Sequence, residues 1–385
     1  MNNFIYGNTT KVYFGKGGVK EYLCCILKNA GDTVMLAYGG GSVKKNGIYD
    51  EVTAILQKAG KTTVDFSGIM PNPTYTKVQE GAKLVRENHV DFILAVGGGS
   101  VIDCCKIVSA QAKSAEDIWD METVKRNYPS DFVPMGAIVT AAGTGSEMNN
   151  GAVITNEAQK IKCGLMGAQA QFVFLDPSYT LSVPFKQVIS GAFDTLSHAM
   201  ETYFGKPDDN NLSDDINEAV MRSVIRNIRI LIRDHENYNA RSELMWASSM
   251  AENGILKIGK ITDFQCHQIE HQLGAYTDCN HGQGLAVIHP VLYRHIYKDG
   301  TERFARFAEN VWGIKGKKTA EKTALAGVEA LAAFIEEIGL PTSFTQMSIP
   351  ADTDFRAVAD STNITAGCCK KLTHDEIYEI LQECI

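Results

Sequence analysis

The sequence predicts an α/β nucleotide-binding domain with a mainly parallel sheet, followed by an all-helical domain. Three observations carry this reading. In the first half, short apolar β-branched runs alternate with helical spacing, as strands and crossover helices do. Three of those runs end in glycine-containing turns. Past Pro184 the strand-like runs thin out and long amphipathic stretches take over.

Taken in order, Thr33–Tyr38 (TVMLAY) reads as a strand and runs into Gly39-Gly40-Gly41-Ser42. Tyr49–Ala59 and Thr76–Asn88 carry helical spacing. Asp91–Val96 (DFILAV) ends in Gly97-Gly98-Gly99-Ser100, and Met135–Thr140 (MGAIVT) in Ala141-Ala142-Gly143-Thr144-Gly145-Ser146-Glu147. In open α/β sheets such strand ends are where ligands bind. Pro177 and Pro184 flank an irregular segment, which divides the chain into domains 1–184 and 185–385. In the second, Gln187–Tyr203, Ser213–Asp234, Ala240–Leu256 and Thr319–Ile338 read as helices.

Composition narrows the function. At ~150 residues per domain, 385 residues allow two or three domains. Lys and Arg number 37 against 45 Asp and Glu, a net charge of −8. That balance argues against nucleic acid or an anionic membrane as partner, since both demand clustered cations. No apolar run reaches the ~18 residues of a membrane span, and the N-terminus MNNFIYGNTTKVYF lacks the organisation of a secretion signal. A cytoplasmic protein is expected. The ten cysteines then read as reduced thiols. Six form adjacent pairs, Cys24–Cys25, Cys104–Cys105 and Cys368–Cys369, with no C-x-x-C, so most read as small buried hydrophobes. Cys266 and Cys279 lie beside histidines and stay candidate zinc ligands.

A glycine turn between strand and helix exposes backbone N–H groups at the positive helix end, where a phosphate can sit. Asp103 can accept from a ribose hydroxyl or cap the helix. The dinucleotide fingerprint is imperfect, because Ile102 stands where Gly or Ala is usual. The histidines are more specific. Asp194 and His198 are spaced i,i+4, as are His267 and His271, and His281 follows shortly. Each i,i+4 pair shares a helical face, and a carboxylate with neutral imidazoles suits Zn²⁺ or Fe²⁺. Spacing does not choose between His271 and His281. His89, His235, His289, His295 and His374 lack such partners and read as structural. His267-Gln268-Ile269-Glu270-His271 also matches the H-x-x-E-H zinc-peptidase pattern, with Glu270 as general base, but that reading leaves three glycine turns unexplained. A dinucleotide beside an open metal position instead suits hydride transfer at an alcohol carbon.

The ordered motifs carry a resemblance. Thr10–Gly17 (TKVYFGKG), Tyr38–Lys45 (YGGGSVKK), Pro71-Asn72-Pro73-Thr74, Gly97–Ser100 with Asp103 and Lys106, Gly143–Asn149 (GTGSEMN) and Leu372–Ile377 (LTHDEI) span the chain. Together they resemble the iron-containing alcohol dehydrogenase family, in its butanol-dehydrogenase-like branch. The resemblance implies an NAD(P)-dependent alcohol dehydrogenase or aldehyde reductase acting on a small alcohol or aldehyde. Glycerol-dehydrogenase or dehydroquinate-synthase chemistry is the alternative within the fold, and a non-catalytic nucleotide-binding protein the alternative outside it. By motif, one divalent metal, Fe²⁺ or Zn²⁺, falls to Asp194, His198, His267 and His281, with His271 a non-ligand histidine on a proton path. Phosphate binding falls to Gly98, Gly99 and Ser100 with Asp103 nearby. The nicotinamide side falls to Thr140, Thr144, Asn149, Lys162 and Val183, the last replacing a usual Leu, and Asn72 is a further cofactor-binding position. Cys104, Cys105 and Ala141 are mild departures from the pattern. The family's dimer, built partly through a first hairpin at the N-terminus, is implied too. The turn Gly39, Gly40, Gly41 and Ser42 offers donors, then Lys44-Lys45, and no carboxylate to repel a 2′-phosphate. NADP(H) is therefore expected over NAD(H).

Overall fold

The computed structural model describes residues 1–316, 319–367 and 369–385. Cys368, one half of an adjacent cysteine pair, lies outside the described residues. The chain forms two compact units, one of residues 7–184 and one of residues 1–6 with 185–385.

The first unit is built on a six-stranded parallel sheet. Its strands are β1 (Lys11–Phe14), β2 (Thr33–Tyr38), β3 (Thr62–Phe66), β4 (Phe92–Gly97), β5 (Met135–Val139) and β8 (Phe172–Leu175), in the order β1-β8-β5-β4-β2-β3. β6 (Gly151–Asn156) and β7 (Ile161–Met166) make a separate antiparallel pair with Thr155 opposite Lys162. The central strands are apolar on both faces, as a sheet covered by helices requires. Leu36 of β2 pairs with Leu94 of β4, and Leu94, Ile138 and Phe174 are at most 1% exposed. One face packs on Val19, Leu23, Leu27, Val52 and Leu56 from two helices. From β2 the chain steps outward to β3, returns past β2 to β4, and then runs outward the other way to β5 and β8. The strand order thus reverses between β2 and β4, and this is where such sheets open a crevice for ligands.

The N-terminal reading needs correction. β1 is a single strand paired parallel to β8, with no hairpin, and residues 1–6 belong to the other unit. A short strand with an exposed Lys11 can be recognised locally, but its partner 161 residues away cannot be.

In the second unit the helix Phe185–Tyr203 is buried almost all round from Ile189 onward. A helix with that pattern belongs at the centre of a bundle. It packs against Leu212–Arg233, Tyr238–Glu252 and His281–Ile296, and the last also meets Gln265–Thr277. The stretch read as Ala240–Leu256 ends earlier, at Glu252, and after Asn253 and Gly254 continues as a short 3₁₀ turn, Ile255–Lys257.

Candidate metal centre and nucleotide site

Asp194 and His198 lie one turn apart on the buried helix Phe185–Tyr203, so both point to one place. His267 comes from Gln265–Thr277, and His281 is the first residue of His281–Ile296. Asp194 Oδ1 stands 3.4 Å from His281 Nε2, 3.5 Å from His267 Nε2 and 3.7 Å from His198 Nε2. Ligands about 2.1 Å from a tetrahedral metal are about 3.4 Å from one another. The geometry therefore fits a divalent ion. Asp194 Oδ1 and His267 Nε2 are buried and make no hydrogen bond among the described residues, the condition of ligand atoms awaiting a cation.

The electrostatics agree. Burial would raise the Asp194 carboxyl, but His198 and His281 outweigh it and hold it well below the ordinary range. Burial keeps His198 low and therefore neutral. Burial also opposes charge on His267, yet Glu201 and Asp194 push it up to about 10. The pocket thus favours positive charge at this point.

Two carboxylates stand behind the ligands. Glu201 accepts from the backbone N–H of Cys266 at 2.6 Å and of His267 at 3.3 Å, and also meets His267 Nδ1. Glu270 is fully buried and meets His281 Nδ1. The helix His281–Ile296 comes close enough for this because Gly284 has no side chain: a Cβ there would lie 2.9 Å from Glu270 Cγ. Asn280 caps that helix, accepting from Gln283 N–H at 3.1 Å and from the Ser190 hydroxyl at 2.5 Å.

His271 is buried one turn beyond His267, its ring 6.0 Å from that of His267 and 5.6 Å from that of His281. Its ligand atoms group with Glu270 and His281, not with Asp194. Cys266 is buried, which raises its thiol well above the ordinary value, and the Cys279 thiol sits 3.9 Å from Glu270. Among the described residues neither cysteine joins a ligand group. The remaining histidines have other work: His289 bonds Ser197 at 2.6 Å, His235 stacks on Phe185 at 3.6 Å, and His374 bonds the Thr362 carbonyl at 3.1 Å.

In the other unit, β2, β4 and β5 are neighbours, so the three glycine turns lie side by side at one sheet end. Gly98 caps the helix Gly99–Lys113, and a Cβ on Gly99 would fall 2.2 Å from Thr144 Oγ1. Only glycine lets the second and third turns meet. Asp103 takes the Val153 N–H at 2.9 Å and the Ser146 hydroxyl, with Lys106 3.8 Å away. Lys106, fully buried, donates to Ser146 at 2.8 Å, Asn149 at 3.0 Å and the Gly151 carbonyl at 2.6 Å. This buried pair ties the helix to the segment carrying Asn149. Lys162 donates to Asn72 at 2.9 Å, Thr140 N–H bonds the Gly97 carbonyl at 3.0 Å, and Val183 closes the 3₁₀ turn Pro177–Ser182.

Comparison with known proteins decides the assignment. The family described as iron-containing alcohol dehydrogenase matches residues 9–177, and its C-terminal counterpart residues 188–385. The chain belongs to the iron-containing alcohol dehydrogenase family. The chain is 40% identical to a probable NADH-dependent butanol dehydrogenase 1 of Bacillus subtilis, over 99% of each sequence. With the NADPH-dependent aldehyde reductase YqhD of Escherichia coli it shares 36% identity, over 91% of this chain and 92% of that one. A crystal structure of NADH-dependent butanol dehydrogenase A from Thermotoga maritima superposes with a TM-score of 0.93 at 35% identity, covering 100% and 99% of the two chains.

For an alcohol dehydrogenase of this family, three residues near the metal pocket escaped the sequence reading. Glu201 had a signal, since it follows His198 by three positions on the same helical face. Glu270 was noticed only as the glutamate of H-x-x-E-H, whereas its carboxylate is engaged with His281. Phe264 gave no signal. Its ring lies 5.8 Å from that of His198 and 5.2 Å from that of His267, and its φ of 54° is strained for a bulky residue.

Proposed function

We propose that this protein interconverts a small primary alcohol and its aldehyde, of about butanol size, by hydride exchange with a nicotinamide nucleotide. The observation that carries the proposal is the convergence of three imidazole Nε2 atoms on Asp194 Oδ1 within 3.7 Å. Asp194, His198, His267 and His281 hold one divalent metal, Fe²⁺ or Zn²⁺. Such an ion supplies Lewis acidity, which polarises a carbonyl and lowers the pKa of an alcohol. Gly98, Gly99 and Ser100 present backbone donors to the nucleotide phosphates. Thr140, Thr144, Asn149, Lys162 and Val183 line the nicotinamide side, and Asn72 is a further cofactor-binding position. Asp103 supports that wall through Ser146 and Val153. His271 passes the alcohol proton, standing beside the ligands without joining Asp194.

Gly39, Gly40, Gly41 and Ser42 seat the adenosine end, and we read the preference as NADP(H) over NAD(H). Lys44 Nζ lies 4.4 Å over the Tyr49 ring and 5.0 Å over the Tyr38 ring, held at the turn. The nearby Asp65 carboxylate is taken by the Tyr49 hydroxyl at 2.7 Å. A 2′-phosphate would thus meet a cation and backbone donors. A cytoplasmic homodimer, the assembly that the family resemblance implies, completes the proposal.

The test is butanal reduction with NADPH and with NADH, before and after chelation. Activity should vanish with the metal and return with Fe²⁺ or Zn²⁺. Full activity in exhaustively metal-free protein would overturn the reading. A tenfold preference for NADH, about 1.4 kcal/mol in the transition state, would overturn the cofactor assignment.

A further inference from the structure

We propose that Glu201 and Glu270 are positioning residues that aim two of the three imidazoles at the metal. The proposal rests on the metal reading above and extends it to residues that touch no metal. Each carboxylate meets the Nδ1 of one ligand histidine, Glu201 that of His267 and Glu270 that of His281. A carboxylate accepts and cannot donate, so a ring that gives up its Nε2 proton to a metal keeps its remaining proton on Nδ1. The lone pair is thereby left on Nε2, the atom that faces Asp194 in both cases. The carboxylates choose the tautomer and fix the ring plane, a known role of groups behind metal ligands.

Both carboxylates are themselves held. Glu201 is 3% exposed and tied to two backbone N–H groups at the start of the helix bearing His267. Glu270 is 0% exposed and wedged against Gly284, which leaves room for it and for nothing larger. His198 differs. Its Nδ1 makes no hydrogen bond among the described residues, so its ring is oriented by packing against His267, 4.6 Å away and 11° from parallel. The centre therefore has two imidazoles hydrogen-bonded to carboxylates and a third, His198, on which the buried Glu252 acts through charge alone. In this arrangement the glutamate of H-x-x-E-H serves a histidine eleven residues further on.

Zn²⁺ affinity is measured by competition with a chromophoric chelator, and the visible spectrum of the Co²⁺-loaded protein is recorded. Wild type comes first. If it binds neither ion, the metal reading itself has failed. Given wild-type binding, Glu201→Gln and Glu270→Gln should each raise the Zn²⁺ Kd by about 10- to 100-fold. Each should also shift the Co²⁺ bands, which a purely structural role would leave in place. Gly284→Ala should act like Glu270→Gln by displacing the same carboxylate, and it tests Glu270 if the Gln variant does not fold. Glu201→Asp serves likewise for Glu201. A Kd within twofold of wild type with an unshifted spectrum would overturn the role of the residue concerned.

Discussion

His198 and His281 present the same atom to Asp194 from two different helices, at 3.7 and 3.4 Å. No neighbour offers a substitute atom to Asp194, because His271 groups with Glu270 and His281 without Asp194 and His289 is committed to Ser197. His198→Ala and His281→Ala should therefore lose metal and turnover together, checked by elemental analysis of purified protein. Stoichiometric metal in both would contradict the ligand set. His271→Ala should separate the two quantities, lowering kcat while metal stays near one per chain. Equal metal loss would make it a ligand. On the proposed reading the cofactor choice is made at the Gly39–Ser42 turn. A Cβ at Gly39 would press on the Ile69 carbonyl at 3.1 Å, whereas Gly40 has open space. Gly40→Asp should thus shift kcat/KM toward NADH with the fold intact, and an unchanged cofactor ratio would place the choice elsewhere. Glu122 makes a different point, about pH. Burial pushes its carboxyl up to about 7, against the opposing Met166 N–H. The folded state therefore holds this proton more tightly than the unfolded one, so the stabilisation is full at acidic pH and is lost as pH climbs from 4.5 through about 7. Unfolding free energies from urea titrations at pH 5.5 and 8 should differ more in wild type than in Glu122→Gln, by on the order of 1–3 kcal/mol. Equal differences would mean that Glu122 ionises freely.

At the scale of elements, the legible features were those written locally. A β-branched run stopped by glycines announces both a strand and its exposed end, which is why β2, β4 and β5 could be placed from sequence. Helical spacing likewise located Asp194 with His198, and His267 with His271. What stayed hidden depends on pairing across the chain. β1 pairs with β8 through parallel bonds, and no residue in Lys11–Phe14 names that partner. The β6–β7 pair is short and half exposed, so its alternation is faint. His281 could not be preferred over His271 by spacing, because the choice rests on where one helix begins relative to another. Asp103, readable as a ribose acceptor or a helix cap, also engages Ser146 and Val153, partners that no local pattern announces. That use has an energetic consequence. Lys106 is wholly buried beside it, and removing one member of a buried pair strands the other. Lys106→Met should destabilise by about 3–5 kcal/mol in chemical denaturation. A loss below ~1 kcal/mol would show that the pair is solvated and does not tie the helix to β6.

The whole molecule divides its labour between two separate cores. The sheet unit closes over Leu23, Leu36, Leu94 and Phe174, and the helical unit over Phe193, Met221, Ile269 and Leu285. All four proposed ligands come from the helical unit, and all three glycine turns from the sheet unit. A ligand stabilises the structure that must form to bind it, by about 2.7 kcal/mol when present at a hundred times its Kd. Each ligand should then protect its own unit. Zn²⁺ should slow amide exchange in Phe185–Tyr203, Gln265–Thr277 and His281–Ile296, because their ends must hold still for Nε2 and Oδ1 to converge. NADPH alone should slow exchange at the ends of β2, β4 and β5 and in Gly99–Lys113. Hydrogen-exchange mass spectrometry with each ligand added singly reads both halves of the prediction. If Zn²⁺ protected the sheet as strongly as the helices, the two units would be one cooperative body, and the metal's effect on cofactor binding would have to be counted as coupling between sites.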